Sequence, residues 1–296
     1  LNAGDRIAIL SPAGIINPDY VEGAIKTLRT QGWDAYATKH ALGRNGTYSG
    51  TPVERLADFN EALDDPTTRA ILCSRGGYGA IHLLRDFPID KFKSDPRWLI
   101  GFSDISALHA LLSTNGIASI HASMAKHLTL FSEDDPDSTA LFRILRGNLP
   151  EYTLSSDYRS ICGNASGRLV GGNLAVLQAL INTPYDIISL PDTILFIEDI
   201  AEPIYKVERI LYQLRLSGVL HKLSGLIIGQ FTEYSPDRNH TDMYDALLPL
   251  VSDLGIPVAV NFPVGHVNHN LPLIESAYCH LTITTDTTKL SFGNRQ

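Results

Sequence analysis

An α/β fold with a parallel sheet covered by helices is predicted for the first half of the chain, and a smaller, strand-rich domain for the second half. Apolar runs of strand length, such as Arg6–Leu10, Ala70–Cys73 and Trp98–Phe102, alternate in the first half with segments of helical apolar spacing. Strands joined by helices in this way form parallel sheets. In such sheets the reactive site lies at the carboxyl ends of the strands, so the loops after these runs are the first candidates for function.

The elements of the first half follow one another in a regular order. After the strand Arg6–Leu10, an apolar stripe of Val21, Ile25 and Leu28 predicts a helix from about Asp19 to Gly32. The next elements are a strand at Ala35–Thr38, a helix at Pro52–Leu63 with Thr51 as N-cap, a strand at Ala70–Cys73, a helix from about Ala80 to Asp86, a strand at Trp98–Phe102, a helix at Ile105–Thr114 and a strand at Ile117–Ile120.

The acidic, turn-rich segment Ser132–Gly163 is predicted to contain the domain boundary. Residues 1–150 are then the first domain, 151–165 a linker and 166–296 the second domain. Two domains agree with a length of 296 residues, because single cores stop growing at ~250 residues. The elements predicted for the second half are helices at about Asn173–Leu180 and Pro203–Leu216, strands at Thr193–Ile197 and Gly225–Gly229, and an antiparallel hairpin from Leu281 to Phe292 around Asp286.

The composition is typical of a globular protein and argues against nucleic acid or a membrane as a partner. Hydrophobic residues make up 44% of the chain and charged residues 19%, which excludes disordered and fibrous classes. Lysine and arginine total 24 against 32 acidic residues, so the net charge of −8 repels phosphate backbones and nucleic acid is not expected as a partner. Three scattered cysteines, no apolar run of membrane length and no signal-like start predict a cytoplasmic protein with no membrane partner.

A glycine-rich loop follows the strand Ala70–Cys73 and reads Ser74-Arg75-Gly76-Gly77-Tyr78-Gly79. Glycines permit positive φ angles and close backbone approach, and N–H groups at the start of the following helix can bind an anion or a developing oxyanion. A tight strand-to-helix turn without any ligand explains the same residues equally well.

A serine stands at the next junction of strand and helix, in Gly101-Phe102-Ser103-Asp104. Such a turn lifts the hydroxyl out of the sheet, as in a nucleophile elbow, and the following N–H points at the same space. The match to G-x-S-x-G fails at Ile105. Capping of the helix by Ser103 or Asp104 is the plainer interpretation of this segment alone.

Two further loops carry groups that a nucleophilic serine needs. The acidic pair Glu198-Asp199 ends an apolar strand, and His266 lies in a loop after Pro263 and Gly265. Helix capping explains the acids alone, and a single loop histidine usually has no special role. The spacing of His266 and His269 would allow both to bind a metal ion, but without a carboxylate or cysteine signature beside them this is a weak signal. Taken together, Ser103, Glu198 and His266 form a serine-hydrolase constellation, in which the imidazole takes the hydroxyl proton and the carboxylate orients the imidazole.

With these residues in place, the chain resembles the LD-carboxypeptidase family of serine peptidases, which also contains the microcin-immunity hydrolases. The segments that carry the resemblance, in the family's order, are Ser11-Pro12-Ala13, Ser74-Arg75-Gly76-Gly77-Tyr78-Gly79, Gly101-Phe102-Ser103-Asp104, Gly171-Gly172-Asn173-Leu174, Thr183-Pro184-Tyr185, Phe196-Ile197-Glu198-Asp199 and Gly265-His266.

The resemblance implies a flavodoxin-like N-terminal domain that carries Ser103 and a C-terminal domain that carries Glu198 and His266, with the active site in the interdomain cleft. It implies that the backbone N–H groups of Gly77 and Asp104 form the oxyanion hole. It also implies a homodimer without a metal or other cofactor.

The implied reaction releases the C-terminal D-alanine from murein tetrapeptides during cell-wall recycling. Because such a substrate ends in a carboxylate, Arg75 is a hypothesis for its binding. A salt bridge at a domain interface is an equally good reading of that arginine.

The sequence departs from the family's pattern at three places. His121-Ala122-Ser123-Met124 stands where relatives often have His-Gly-Pro-Met, Phe102 replaces a common tyrosine, and Ser106 replaces a common threonine. None of these removes a proposed catalytic group, but the first leaves the details of the substrate open.

Two other functions remain open at this stage. The first is a microcin-immunity-type hydrolase of acyl-adenylate analogues, whose relatives carry an aromatic side chain on an insertion that stacks on adenine. Trp33 and Trp98 lie outside the middle segment, although Tyr152 and Tyr158 are possible replacements. The second is a two-lobed protein that binds a small anionic ligand and in which Ser103 is inert.

Overall fold

The computed structural model describes residues 1–131 and 134–293. Two compact units divide the chain. The first contains Leu1–Asn148 and Leu271–Leu273, and the second contains Leu149–Asn270 and the chain from Ile274 onward. Ser132 and Glu133, which belong to the segment predicted to hold the boundary, lie outside the described residues.

Strands and helices alternate through most of the first unit. The strands of the described chain are β1 (Arg6–Leu10), β2 (Asp34–Ala37), β3 (Thr68–Cys73), β4 (Trp98–Gly101), β5 (Ser119–His121), β6 (Glu151–Ser155), β7 (Gly163–Asn173), β8 (Thr193–Ile200), β9 (Gly225–Thr232), β10 (Val258–Val260), β11 (Leu273–Glu275), β12 (Tyr278–Ile283) and β13 (Thr287–Phe292). The α-helices are α1 (Pro18–Thr30), α2 (Pro52–Asp64), α3 (Ile89–Ser94), α4 (Ser106–Thr114), α5 (Ala125–Leu130), α6 (Pro136–Leu145), α7 (Leu174–Gln178), α8 (Ile204–Leu216) and α9 (Met243–Leu247). Short 3-10 helices cover Ala80–Asp86, Ser103–Ile105, Leu220–Lys222 and Leu248–Leu250.

The first sheet has the strand order β2-β1-β3-β4-β5-β11. The pairs from β2 to β5 are all parallel, and the apolar residues of the central strands β1 and β3 are buried. The order β2-β1-β3-β4-β5 is that of flavodoxin-like folds, so the predicted fold class of the first half is confirmed. The strand order reverses between β1 and β3, and such a switch point is where open α/β sheets bind ligands.

The predicted start of α2 is confirmed in atomic detail. Thr51 accepts a hydrogen bond from the backbone N–H of Glu54, and the Glu54 side chain bonds back to the Thr51 N–H. This reciprocal arrangement is a capping box, and Pro52 stands at the first helical position, where its missing N–H has no consequence.

The acidic segment is more structured than its composition suggests. Asp135 caps α6 through the N–H of Ser138, and Pro136 is the first residue of that helix. Leu141, Phe142 and Leu145 of α6 are buried within the first unit, to which this helix belongs. An acidic residue followed by proline is a helix start as well as a turn signal, and here the apolar stripe behind it decides the outcome.

Two helices near the candidate site differ from their predictions, one in its type and the other in its first residue. Ala80–Asp86 is a 3-10 helix, and it follows Gly79 with a φ of 125°. A 3-10 turn at Ser103–Ile105 precedes α4, which begins at Ser106 rather than at Ile105. Ser103–Ile105 is thus a short turn close to the carboxyl end of β4, and Ala80–Asp86 follows the glycine-rich loop after β3.

The second unit is built on a mixed sheet with the order β10-β9-β8-β7-β12-β13-β6. The strands β7, β8, β9 and β10 pair in parallel, whereas β7, β12, β13 and β6 pair antiparallel. Leu281 pairs with Leu290 across the β12–β13 hairpin, which confirms the hairpin predicted around Asp286.

Residues 151–165, taken as a linker in the sequence, contain strand β6 and the start of β7. Strand β6 pairs with β13 through Tyr152 and Leu290. Beyond β6, Ile161 forms a bridge to Val258 of the edge strand β10. This segment is therefore an integral part of the second sheet.

Within residues 1–131 and 134–293, no helix combines the length and the apolar character needed to cross a bilayer.

Replacing Gly171 of β7 by alanine is expected to destabilise the second unit. A Cβ atom at this position would lie 2.0 Å from the carbonyl oxygen of Phe196, a backbone atom that cannot move aside. We expect a loss of about 3 kcal/mol in the free energy of unfolding, measured by chemical denaturation. Gly293→Ala is the control, since no atom lies within 4 Å of a Cβ there. Equal stability of the two variants would contradict the close packing of β7 on β8.

Candidate active site

Ser103 occupies a strained turn directly after β4. The backbone of Phe102 is extended, with a φ of −154°, whereas Ser103 has a φ of 67°. Residues other than glycine adopt this left-handed conformation at a cost of about 1–2 kcal/mol. The abrupt change turns the chain from the strand into the 3-10 turn Ser103–Ile105 and leaves the serine partly exposed. This is the geometry of a nucleophile elbow.

The glycine-rich loop packs directly against this serine. A Cβ atom on Gly76 would lie 2.9 Å from Cβ and 3.1 Å from Oγ of Ser103, and 3.2 Å from the backbone nitrogen of Asp104. Gly77 and Gly79 have φ angles of 101° and 125°, which L-residues with side chains rarely adopt. The predicted serine and the predicted glycine turn are therefore in contact within the first unit.

The loops after β1 and β3 are tied together at the switch point of the first sheet. Ser11 Oγ lies 2.5 Å from Ser74 Oγ, and the N–H of Gly14 donates to the carbonyl of Gly76 at 3.0 Å. The loop that begins with Ser11-Pro12-Ala13 is thus hydrogen-bonded to the glycine-rich loop.

A buried arginine that the sequence analysis missed lies under the same turn. Arg55 of α2 is 1% exposed, and its Nη1 donates to the carbonyl oxygens of Pro12 and Gly79 at 2.5 and 2.9 Å. Burial lowers the pKa of Arg55. The spacing of Arg55 with the buried Phe59 and Ala62 places it on the inward stripe of α2, and this was the available signal.

Arg75, the hypothesis for binding the substrate carboxylate, is exposed beside the turn. Its Nη1 donates to the carbonyl of Ile15 at 2.9 Å, so the side chain is anchored to the loop after β1. The guanidinium carries further donors, and these lie on an exposed residue.

Two buried histidines lie behind Ser103, and the sequence analysis gave them no role. His109 Nε2 lies 2.9 Å from the carbonyl oxygen of Gly101 and therefore donates to it, while Ser119 Oγ lies 2.8 Å from Nδ1. Burial lowers the pKa of His109 to about 4, so the ring is neutral near pH 7. His121, in the segment that departs from the family's pattern, has its ring 5.7 Å from that of Phe102.

In the second unit, His266 and Glu198 form a direct hydrogen bond. Nδ1 of His266 lies 2.7 Å from Oε2 of Glu198, and Glu198 is fully buried near the end of β8. Because an ionised carboxylate only accepts, Nδ1 carries the proton, and Nε2 of the neutral ring is the acceptor.

The pKa of His266 is raised by this environment. Burial by itself lowers the pKa of the imidazole, but the hydrogen bond to Glu198 and the negative charges of Glu198, Asp199 and Glu233 outweigh burial. The imidazole is thereby a stronger base than an isolated histidine.

Gly265 allows the histidine and the carboxylate to meet. Its φ is 127°, and a Cβ atom there would lie 2.8 Å from Cβ and 2.9 Å from Oε2 of Glu198. The N–H of Gly265 donates to Oδ1 of Asn270 at 2.9 Å, within the buried part of the loop. Asn270, like Arg55 and the two buried histidines, was not among the residues selected from the sequence.

The structure separates the roles of the two adjacent acids. Glu198 lies where the register of β8 with β9 is irregular, between Ile197 and Asp199, and Asp199 has hydrogen-bond partners of its own. Its oxygens accept hydrogen bonds from Nδ2 of Asn173 at 2.8 Å and from the N–H of Ala175 at 2.9 Å. Burial raises the pKa of Asp199 to about 6. Asp199 therefore stabilises the start of α7 and adds negative charge beside His266.

The predicted site residues thus form two groups. Ser103, Asp104, Gly77 and Arg75 surround the ends of β3 and β4 in the first unit, and Glu198 is bonded to His266 in the second unit. In the described part of the chain, the clustered metal-type ligands are His127, Asp135 and Asp137, a group that does not include the pair His266 and His269.

Comparisons with known proteins agree with this arrangement of elements. Residues 7–122 match the model of the LD-carboxypeptidase N-terminal domain, and residues 166–281 match that of the C-terminal domain. A relative from Synechocystis sp. is 36% identical to this protein, and the alignment covers 94% of this chain and 92% of the relative. The murein tetrapeptide carboxypeptidase of Pseudomonas aeruginosa is 30% identical to this protein, and the alignment covers 90% of this chain and 89% of that enzyme.

Solved structures show the same fold over the whole chain. The crystal structure of muramoyltetrapeptide carboxypeptidase from Oxalobacter formigenes has a TM-score of 0.86 at 29% identity and covers 98% of this chain and 99% of that chain. The microcin C7 self-immunity protein MccF, in complex with aspartyl sulfamoyl adenosine, has a TM-score of 0.88 at 22% identity and covers 100% of this chain and 97% of that chain. With both domain models matched in order, and a relative 30% identical over nine-tenths of its length, the chain belongs to the LD-carboxypeptidase family, which includes the microcin-immunity proteins, and is a hydrolase of the peptidase class.

Proposed function

We propose that this hydrolase is a serine LD-carboxypeptidase that releases the C-terminal D-alanine from murein tetrapeptides. Ser103 is the nucleophile, His266 the general base and Glu198 the group that orients the base. The observation that carries the proposal is the 2.7 Å hydrogen bond between Nδ1 of His266 and the buried Glu198, which makes Nε2 the basic atom. The name of the Pseudomonas aeruginosa relative supports the choice of substrate.

The proposed reaction proceeds in two halves. Ser103 Oγ attacks the carbonyl carbon of the L,D-peptide bond while Nε2 of His266 takes the hydroxyl proton. The backbone N–H groups of Gly77 and Asp104 stabilise the oxyanion. His266 then gives the proton to the amine of D-alanine as the C–N bond breaks, and an acyl-enzyme remains. Water attacks this ester with the same base, and the second product leaves with a new carboxylate.

Family resemblance supports the remaining features of the proposal. We propose a cytoplasmic homodimer that acts on fragments recycled from the cell wall. Membership of a hydrolase family favours catalysis over the two-lobed binding protein considered from the sequence.

A second candidate is hydrolysis of acyl-adenylate analogues, and one observation favours it. Trp33 and Tyr152 are buried, but Tyr158 is 89% exposed and is therefore available for stacking on a base. Turnover of aspartyl sulfamoyl adenosine compared with that of a murein tetrapeptide distinguishes the two candidates. Faster turnover of the adenylate analogue, lost in Tyr158→Ala, would favour the second.

Ser103→Ala is expected to abolish release of D-alanine without unfolding the protein. Loss of the nucleophile typically costs about 10⁴-fold or more in kcat. Mass spectrometry of a murein tetrapeptide incubated with each variant measures the loss. Ser94→Ala, an exposed serine of the same unit, is the control and should keep wild-type activity. Release of D-alanine by Ser103→Ala at the wild-type rate would contradict the proposal.

The rate should rise with pH through the pKa of His266, with a midpoint above 6.5. The imidazole accepts a proton only when neutral, and its pKa is raised, so activity is lost as the pH falls through that value. Glu233→Gln removes one negative charge near His266 and should lower the midpoint of the kcat/KM profile. Glu208→Gln is the control. A midpoint that rises in Glu233→Gln would contradict this assignment.

Arg75→Ala is expected to weaken recognition of the substrate carboxylate. A charge-assisted hydrogen bond lost from a binding site lowers kcat/KM by about 10- to 100-fold, here through KM. Arg85→Ala, an exposed arginine of the same unit, is the control. Steady-state kinetics on the tetrapeptide and on its C-terminal amide measure the effect. An Arg75→Ala enzyme with full kcat/KM would remove this residue from the site.

A further inference from the structure

The side chain of Asp104 is hydrogen-bonded to Ala80, at the C-terminal end of the glycine turn. The carboxyl group is 4% exposed, and its Oδ2 accepts from the N–H of Ala80 at 2.8 Å. Burial raises the pKa of this carboxyl group, and the backbone groups of Ala80 and Gly79 counteract that effect. Asp104 directly follows Ser103, and its own backbone nitrogen lies 3.2 Å from where a Gly76 Cβ would stand. One residue therefore touches both ends of the turn from Gly76 to Ala80.

Arg55 holds the same turn from the opposite side. Its guanidinium donates to the carbonyl oxygen of Gly79 at 2.9 Å, while the N–H of the next residue, Ala80, donates to Asp104. Each of these two charged groups lies in the other's electrostatic field, and both are buried. A Cβ on Gly79 would lie 3.0 Å from Nη1 of Arg55, so the turn is closely packed between the two charges.

We propose that the Asp104 carboxylate is a positioning residue that sets the separation of the two oxyanion donors. The inference rests on the proposed function, in which the N–H groups of Gly77 and of Asp104 itself stabilise the oxyanion. One donor belongs to the turn, and the other belongs to the residue whose side chain holds that turn. Movement of Asp104 relative to the turn changes the spacing of the donors, and such donors accelerate a reaction only when preorganised.

Asp104→Asn tests this role with a side chain of the same size. The amide keeps one oxygen for the N–H of Ala80, but it replaces the other oxygen by a donor and removes the negative charge that interacts with Arg55. We expect kcat on the tetrapeptide to fall about 10- to 100-fold with KM within about twofold, because ground-state binding does not use the oxyanion donors. Asp104→Ala should lose more, since no acceptor then remains for the N–H of Ala80.

A second readout is independent of the peptide substrate. A fluorophosphonate reacts when Ser103 Oγ attacks phosphorus, fluoride leaves and His266 takes the hydroxyl proton, and the charge that develops on the phosphoryl oxygen uses the same donors. The rate of labelling should fall in Asp104→Asn by the same factor as kcat. A residue that only stabilises the fold would change the unfolding temperature and leave this rate unchanged.

Asp135→Asn is the matched control. Asp135 is also an aspartate of the first unit that accepts a backbone N–H, that of Ser138 at 2.9 Å, at the start of a helix. Asparagine caps a helix about as well as aspartate, so this variant should fold, and kcat and labelling should stay within about twofold of the wild type. A similar loss of kcat in both variants would overturn the inference.

The outcomes separate the inference from the proposed function. Wild-type kcat and labelling in a folded Asp104→Asn protein would overturn the inference and leave the serine mechanism intact. If the wild type is labelled at Ser103 but releases no D-alanine, the substrate proposal fails, and the labelling rates still decide on Asp104. A wild type that neither releases D-alanine nor takes the label would overturn both.

Discussion

The hydrogen bond between His266 and Glu198 is the interaction on which the proposed chemistry depends. A fully buried carboxylate is costly unless it is paired, and the imidazole Nδ1–H is the partner that this structure provides. The bond has two consequences: it holds the ring in the tautomer whose Nε2 atom is basic, and it raises the pKa of that ring against the opposing effect of burial. Orientation and basicity therefore have the same physical origin.

Close backbone approach is the constraint that makes both groups of site residues possible. Gly265 lies against the carboxyl group of Glu198, and Gly76 lies against Ser103, in each case at distances that a side chain would not permit. Gly171 meets the backbone of Phe196 two residues before Glu198, so β7 packs tightly on the strand that carries the acid. These glycines contribute space, because the absence of a side chain is what permits each of these close approaches.

Local patterns in the sequence predicted much of the fold but only part of the site. The capping box at Thr51 and the hairpin around Asp286 follow rules that act over a few residues, and both were predictable. The sequence could offer the pair Glu198-Asp199, but which acid faces His266 depends on the face that β8 presents, a tertiary property. Helix α6 was missed because Asp135-Pro136 begins a helix or a turn with equal ease, and only burial of the residues behind it selects the helix.

The left-handed conformation of Ser103 was also beyond the sequence, and it links stability to function. Strain of about 1–2 kcal/mol at one residue persists only where surrounding contacts hold the chain in place. Behind the serine, the neutral ring of His109 donates to the carbonyl of Gly101. After it, Asp104 is buried and bonded to the N–H of Ala80. The residues on either side of Ser103 are thus anchored to different parts of the first unit, so relaxation of the serine would require breaking buried hydrogen bonds. The same anchors that maintain the strain also fix where the hydroxyl points.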